Sequence, residues 1–314
     1  MRHLFPSALA AVTALLANAA CAATFTFAAI GDVPYGPPEE LSALTTKLNR
    51  QPLTFTLHLG DIKTGTSRCS DDVYLKIREL FDEFDKPLIY TPGDNEWTDC
   101  HRMLAGGYDP VERLEKVRSL FFARAESLGR QKVPLQSQRS DPRFARYVEN
   151  LRWTHGKVSF ATLHLVGSNN NWQPELPSVS EFAGREEANL VWLQTTFAAA
   201  KARNDIAVVL AMQADTFMAE PGPGSGFTRW LAALADEVAR WGKPVLLLQG
   251  DSHRYRIDRP LRNVDGQPLA NLQRVVVPGE RHPDAVLIEV DETHPAQPFR
   301  LRLMRETPEM PARH

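Results

Sequence analysis

Four times in this chain of 314 residues an apolar run ends in Gly-Asp. Ala28-Ala29-Ile30 leads into Gly31-Asp32, Leu57-His58-Leu59 into Gly60-Asp61, Tyr90-Thr91-Pro92 into Gly93-Asp94, and Leu247-Leu248-Gln249 into Gly250-Asp251. A shuffled chain of this composition would hold the dipeptide about once. A buried strand fixes the backbone and glycine permits the turn after it, so each copy reads as a strand end offering a carboxylate. The third copy continues as Asn95-Glu96-Trp97 and the fourth as Ser252-His253, while a further apolar run over 206–212 delivers Gln213-Ala214-Asp215. Asp, Asn, Gln and His side chains converging from strand ends suit a divalent-cation site that grips phosphate.

The elements that must position these side chains follow a strand–helix–strand rhythm. Strands are predicted over 24–30, 53–59 and 87–91. A helix opened by Pro37-Pro38-Glu39-Glu40 runs to 50, and a second, capped by Ser70 before Asp71-Asp72, runs to 84; prolines and acids both suit a helix N-terminus. The first three acids stand about 30 residues apart, one crossover each, so these strands should be parallel and end on one edge. Beyond them we expect a helix over 109–125 and a surface excursion over 131–150. An alternating strand over 158–166 ends at Gly167-Ser168-Asn169-Asn170-Asn171-Trp172. Its Val158, Phe160, Thr162 and His164 share one face, and Ala161, Leu163 and Leu165 the other. Helices over 185–203 and 228–241, a mobile loop over 221–226, strands over 206–212 and 245–249, and a meander of short strands (275–278, 285–290, 299–304) complete the reading. No repeat or change of composition divides the chain. It reads as a mainly parallel α/β domain over 23–305 with a frayed tail, 306–314.

Composition is that of a soluble globular protein, 43% hydrophobic and 24% charged. The formal net charge is -2, and no stretch interleaves dense basic residues with aromatics, so a nucleic-acid footprint is missing. Arg2-His3, an apolar run over 4–20 and small residues over 17–22 read as a cleaved signal peptide, 1–22, too short for a membrane span. The chain is therefore expected in the periplasm or secreted; a lipid anchor at Cys21 is the weaker alternative, because Asn18 replaces the leucine of a lipoprotein signal. No other run is long enough for a transmembrane helix. Export leaves Cys69 and Cys100, each shortly after a Gly-Asp turn, to form a disulfide fastening two loops of the site.

The order Gly31-Asp32, Gly60-Asp61, Gly93-Asp94-Asn95-Glu96, Gln213 at a strand end, and Gly250-Asp251-Ser252-His253 resembles the calcineurin-like metallophosphoesterases, which include the purple acid phosphatases. The resemblance covers roughly 24–255 and implies a four-layer αββα sandwich with two mixed β-sheets, a two-metal centre, and hydrolysis of a small phosphorylated substrate. It implies metal ligation by Asp32, Asp61 as the bridging ligand, and His253. Pro34 stands where the family has a histidine ligand and Asp94 where it has asparagine. Gln213, or Asp215 if the register shifts, replaces the strand-end histidine, and Asp251 another. Asn95 takes the place of the histidine that assists the leaving group, and cannot transfer a proton. With Asp94, Gln213 and Asp251 as oxygen donors, the set favours Mn, Mg or Ca over Zn or Fe, as one or two ions. Lys63 could stand in for one of two metals. His253 and His101 remain for proton transfer, Asn169, Asn170 and Arg254 for substrate. Glu96 reads as a partner of the ligands, His58 and His164 as core histidines. The alternative to an enzyme is the same fold holding metal or a phosphorylated ligand without turnover.

Overall fold

The computed structural model describes residues 24–172, 179–218, 222–281 and 283–306. The expected leader with Cys21, and 307–314 of the expected tail, lie outside the described residues; Glu306 closes a 3-10 turn, Met304–Glu306. The first sheet is built from β1 (Thr24–Ile30), β2 (Thr56–His58), β3 (Leu88–Tyr90), β11 (Val286–Asp291) and β12 (Phe299–Leu303). Its order is β12-β11-β1-β2-β3, with β1, β2 and β3 mutually parallel and β11 antiparallel to both neighbours. The three acid-bearing turns therefore leave one edge, as the crossover lengths require.

The second sheet holds β4 (Gln136–Ser137), β5 (Leu151–His155), β6 (Val158–Thr162), β7 (Ala207–Ala211), β8 (Val245–Gln249), β9 (Arg256–Asp258) and β10 (Leu272–Val276). Its order is β4-β5-β6-β7-β8-β10-β9, with β6, β7, β8 and β10 parallel. Alternation along these strands assigns two faces. Phe160, Val209, Leu246 and Val275 join the core shared with the first sheet, where Phe27 meets Phe160 edge-on at 5.5 Å. Ala161, Leu163, Leu210 and Leu247 pack beneath α4 (Val179–Ala202) and α5 (Thr228–Trp241) through Trp192, Phe197, Trp230 and Leu234. Leu41 and Leu44 of α1 (Glu39–Asn49), Ile77 and Phe81 of α2 (Asp71–Phe81) and Val117 of α3 (Pro110–Phe121) join the first core. The result is two mixed sheets flanked by helices. Among the described residues no helix is long and apolar enough to cross a membrane.

Several expectations need correction. The stretch 131–150 is not merely superficial: Gln138, Glu149 and Asn150 are buried, and β4 adds to the sheet. The meander divides, because β10 pairs in parallel with β8 in the second sheet while β11 and β12 form a hairpin in the first. Helix α3 ends at Phe121, short of 125, and α4 begins at Val179. Ser70 sits at the start of α2 without accepting a backbone N–H there, unlike Asp109, which accepts from Glu112 N at 2.9 Å at the start of α3.

Candidate metal centre

The Gly-Asp pattern has a steric origin. A Cβ at Gly60 would lie 2.5 Å from Gly93 N, and one at Gly93 would lie 2.0 Å from Asp61 Oδ1. The second and third turns are pressed together so closely that only glycine fits, and this brings their acids into one cluster. Asp32 and Asp61 (both φ 55°), Asp251 (φ 68°) and His253 (φ 53°) all take left-handed backbone conformations. Each costs on the order of 1 kcal/mol for a non-glycine residue, and such strain collects where a side chain must be aimed.

Asp61 is the hub. Its Oδ2 accepts from Tyr35 Oη at 2.6 Å, Asn95 Nδ2 at 2.8 Å and Gln213 Nε2 at 3.2 Å, and its Oδ1 from Asn95 N at 3.2 Å. Asp32 Oδ1 accepts from Asp251 N at 3.1 Å and faces His253 Nε2 at 3.2 Å. Its Oδ2 is buried with no hydrogen-bond partner among the described residues. Glu96 Oε1 ties the turns together by accepting from Asp61 N, Gly93 N and Tyr90 Oη at 3.0, 2.9 and 2.7 Å.

Burial dominates the electrostatics. It pushes the Asp61 carboxyl well up, assisted by Asp94, Glu96 and Asp32, and it raises Asp32 against the opposing pull of His253. Burial, with Asp94 and Asp32, lifts Asp251 to about 8. The clustered acids hold too much negative charge for one another. Donor atoms of Asp32, Asp61 and His253 lie within 4.8 Å of one another, and Asp32 keeps a second, buried oxygen without a hydrogen-bond partner among the described residues. These residues fit a divalent cation, which would neutralise the cluster and take up the free lone pairs.

The other expected ligands sit differently. Gln213 Oε1 accepts from Gly167 N at 2.6 Å, so its amide nitrogen is turned to the acids, 2.9 Å from Asp94 Oδ1. In this orientation Gln213 is a donor bridging Asp61 and Asp94, not a ligand; turning it over would set N–H against N–H at Gly167. Asp94 Oδ2 accepts from Ser168 Oγ at 2.8 Å. Asp215, the alternative register, is paired with Arg274 at 2.6 Å. Lys63 is buried and donates to Thr64 O at 2.9 Å; burial lowers its pKa, opposed by Glu96, Asp61, Asp99 and Asp94 through space.

His101 is exposed, its Nδ1 2.6 Å from Thr98 O within its own 3-10 turn, which holds it at the rim. Asn169 Nδ2 donates to Gly224 O and Asn170 Nδ2 to Gly226 O, both at 3.0 Å, so these amides clasp the 222–226 loop in place of a substrate. Arg254 is exposed beside His253. His58 is a core histidine bonded through Nε2 to Val33 O at 2.8 Å, and His164 is bonded to Glu149 at 2.7 Å. Cys69 and Cys100 form the disulfide, Cα–Cα 5.7 Å, joining the second and third loops.

Two participants, Tyr35 and Asp99, escaped the sequence reading, and Ser168 lay in the strand-end turn 167–172 without being singled out. Tyr35 bonds Asp61, and its ring meets that of His253 edge-on at 5.0 Å. Asp99, raised by burial to about 6, and Ser168 join the far side of Asp94, with Ser168 Oγ 3.1 Å from Asp99 Oδ1. The position of Tyr35 beside Pro34, in the first motif, and that of Ser168 in the strand-end turn 167–172 carried a signal; Asp99 had none.

No protein-family model matches the chain, and no curated protein matches its sequence. Solved structures match its fold. A dimetal phosphatase from Danio rerio superposes with TM-score 0.56 at 13% identity, over 84% of this chain and 95% of that one. PhoD gives 0.52 at 13% identity, over 86% of this chain and 64% of that one. A purple acid phosphatase from yellow lupin (Lupinus luteus) seeds gives 0.50 at 13% identity over 86% of this chain, which spans only 50% of the lupin enzyme. The chain thus has the fold of the calcineurin-like metallophosphoesterases, and its acid cluster is a candidate site for a divalent metal.

Proposed function

We propose that this protein is an exported, metal-dependent phosphoesterase that hydrolyses phosphate mono- or diesters with activated water. The observation that carries the reading is the triad Asp32, Asp61 and His253, with donor atoms within 4.8 Å, at the strand-end edge of this fold. A bound divalent cation would supply Lewis acidity and a water acidified toward neutral pH. Asp32, Asp61 and His253 would hold it, and the preponderance of carboxylate oxygen favours Mn, Mg or Ca over Zn or Fe. Tyr35, Asn95 and Gln213 fix Asp61 by donating to it. Asn95 positions and moves no proton. Lys63 contributes buried positive charge next to the acids, and His101, held through Nδ1 by Thr98 O, has its Nε2 left to exchange a proton. Export rests on the leader-like N-terminus and the disulfide.

A second reading, metal or phosphate binding without turnover, is favoured by Pro34 and Asn95 standing where the family has histidines. The test is activity of the mature chain on an aryl phosphate and a diester, after chelation and with Mn, Mg, Zn or Ca restored. Metal-dependent turnover supports the enzyme. Retained metal binding with no turnover leaves the binding protein.

A further inference from the structure

Asp251 belongs to two places at once. Its N–H donates to Asp32 Oδ1 at 3.1 Å, and it lines a cavity of about 490 Å³ between Gly167-Ser168 and the loop reaching Phe227. This cavity is built, not incidental. A Cβ at Gly167 would stand 2.7 Å from both Asp94 Oδ1 and Asp251 Oδ1, so the wall closes against the acid cluster. Asn169 and Asn170 then clasp Gly224 and Gly226 across it.

Its chemistry is one-sided. Phe227 and Met218, the latter 66% exposed, are its large apolar side chains, and Asp215 and Asp251 its charged ones; no Lys, Arg or His is among the described lining residues. The guanidiniums bonded to neighbouring acids are engaged, Arg274 by Asp215 and Asp258, and Arg102 by Asp99 at 2.7 Å. A second anionic group placed here would meet Asp215 and Asp251 and find no unengaged cation among the described lining residues, whereas an apolar group would cover Phe227 and Met218.

We propose that this cavity takes the uncharged organic group, aryl or alkyl, of a phosphate ester whose phosphate lies at the acid cluster, and that it rejects esters carrying a further phosphate or carboxylate. The inference rests on the phosphoesterase reading, and binding to the Mn-loaded full chain by calorimetry tests it with non-hydrolysable probes. Phenylphosphonate should bind about tenfold tighter than methylphosphonate, from partial burial of one ring, and phosphonoacetate more weakly than either. Phe227→Ala should reduce the phenyl preference to under about threefold. Met218→Lys, at an exposed position that leaves the core intact, should strengthen phosphonoacetate relative to methylphosphonate. Equal binding of the phenyl and methyl probes, or tightest binding of phosphonoacetate, overturns this proposal alone. Failure of all three and of inorganic phosphate to bind overturns the phosphoesterase reading with it.

Discussion

The backbone N–H of Gly167 donates to Oε1 of Gln213 at 2.6 Å, and this bond decides which end of the amide meets the acids. Gln213 bridges Asp61 and Asp94 as a donor, holding two carboxylates together where the resembling family would have a histidine ligand. The centre is therefore polarised: one side, Asp32, Asp61 and His253, is arranged for a cation, and the other is closed by hydrogen bonds through Gln213 and Ser168.

Gln213→His should open that closed side. The imidazole would offer a nitrogen toward Asp61 and Asp94 and leave Gly167 N–H without its present acceptor, at a cost of about 1–3 kcal/mol. Metal analysis and calorimetry should find the variant less stable without metal, with its preference shifted toward Zn relative to Mg. Unchanged selectivity would mean that the second side does not take part in binding metal.

Asp61→Asn separates charge from shape. Asp61 is crowded by Asp94, Glu96 and Asp32, and a neutral amide relieves that repulsion while removing one carboxylate of the candidate triad. Thermal unfolding should show wild type gaining about 2.7 kcal/mol from Mn at a hundredfold excess over its dissociation constant, and EDTA reversing the gain. The variant should gain none, and without metal the relief of repulsion is offset by the hydrogen bond lost where its amide nitrogen faces Asn95 N–H.

The pH dependence of the metal-free protein has a definite sign. Burial, with Asp94 and Asp32, lifts Asp251 to about 8, and burial also raises Asp61 and Asp32. These groups bind protons more tightly folded than unfolded. Their contribution is full below the ordinary aspartate pKa of about 4 and is lost as pH rises through the folded values. His58 runs the other way: burial lowers it to about 4, so its contribution is present above about 6.5 and lost as pH falls. From about pH 6.5 to 8 the raised acids change together with His253, which Asp32 lifts against the opposing effect of burial, and all have the same sign, so denaturant midpoints should fall there without metal. Saturating Mn should flatten the slope, since the cation replaces the protons.

What was legible in the sequence was the part dictated by chain-local rules. Glycine before each acid, apolar runs before each glycine and crossover-length spacing were enough to place Asp32, Asp61 and Asp94 on one edge and to bring Asp251 and His253 to them. The disulfide followed from the same turns. Side-chain direction was not legible. Whether Gln213 shows oxygen or nitrogen depends on Gly167, which is remote in sequence, and whether Asn169 and Asn170 face substrate depends on Gly224 and Gly226. Strand β5 was missed because Arg152 and Trp153 do not read as a buried strand, and β9 because its residues are largely exposed at the sheet edge.

The Gly93-Asp94 turn is backed by a buried charge network whose removal should be costly. Arg118 Nε and Nη2 reach Glu149 Oε2 and Oε1 at 2.9 and 2.6 Å, and His164 Nδ1 lies 2.7 Å from Glu149 Oε1. Glu149 and His164 are fully buried and Arg118 nearly so. Burial alone would raise the Glu149 carboxyl, but Arg118 and His164 outweigh it and hold it well below the usual range. His164 in turn packs against Trp97, 5.4 Å between rings, immediately after Glu96. Arg118→Met leaves Glu149 buried with one partner fewer and should cost about 3–5 kcal/mol in denaturant unfolding. Adding Glu149→Gln removes the stranded charge, so the double variant should recover much of that loss. If the double variant is no better than the single, the cost lies in packing around Tyr147, over whose ring Arg118 sits at 5.5 Å, and not in the buried charge.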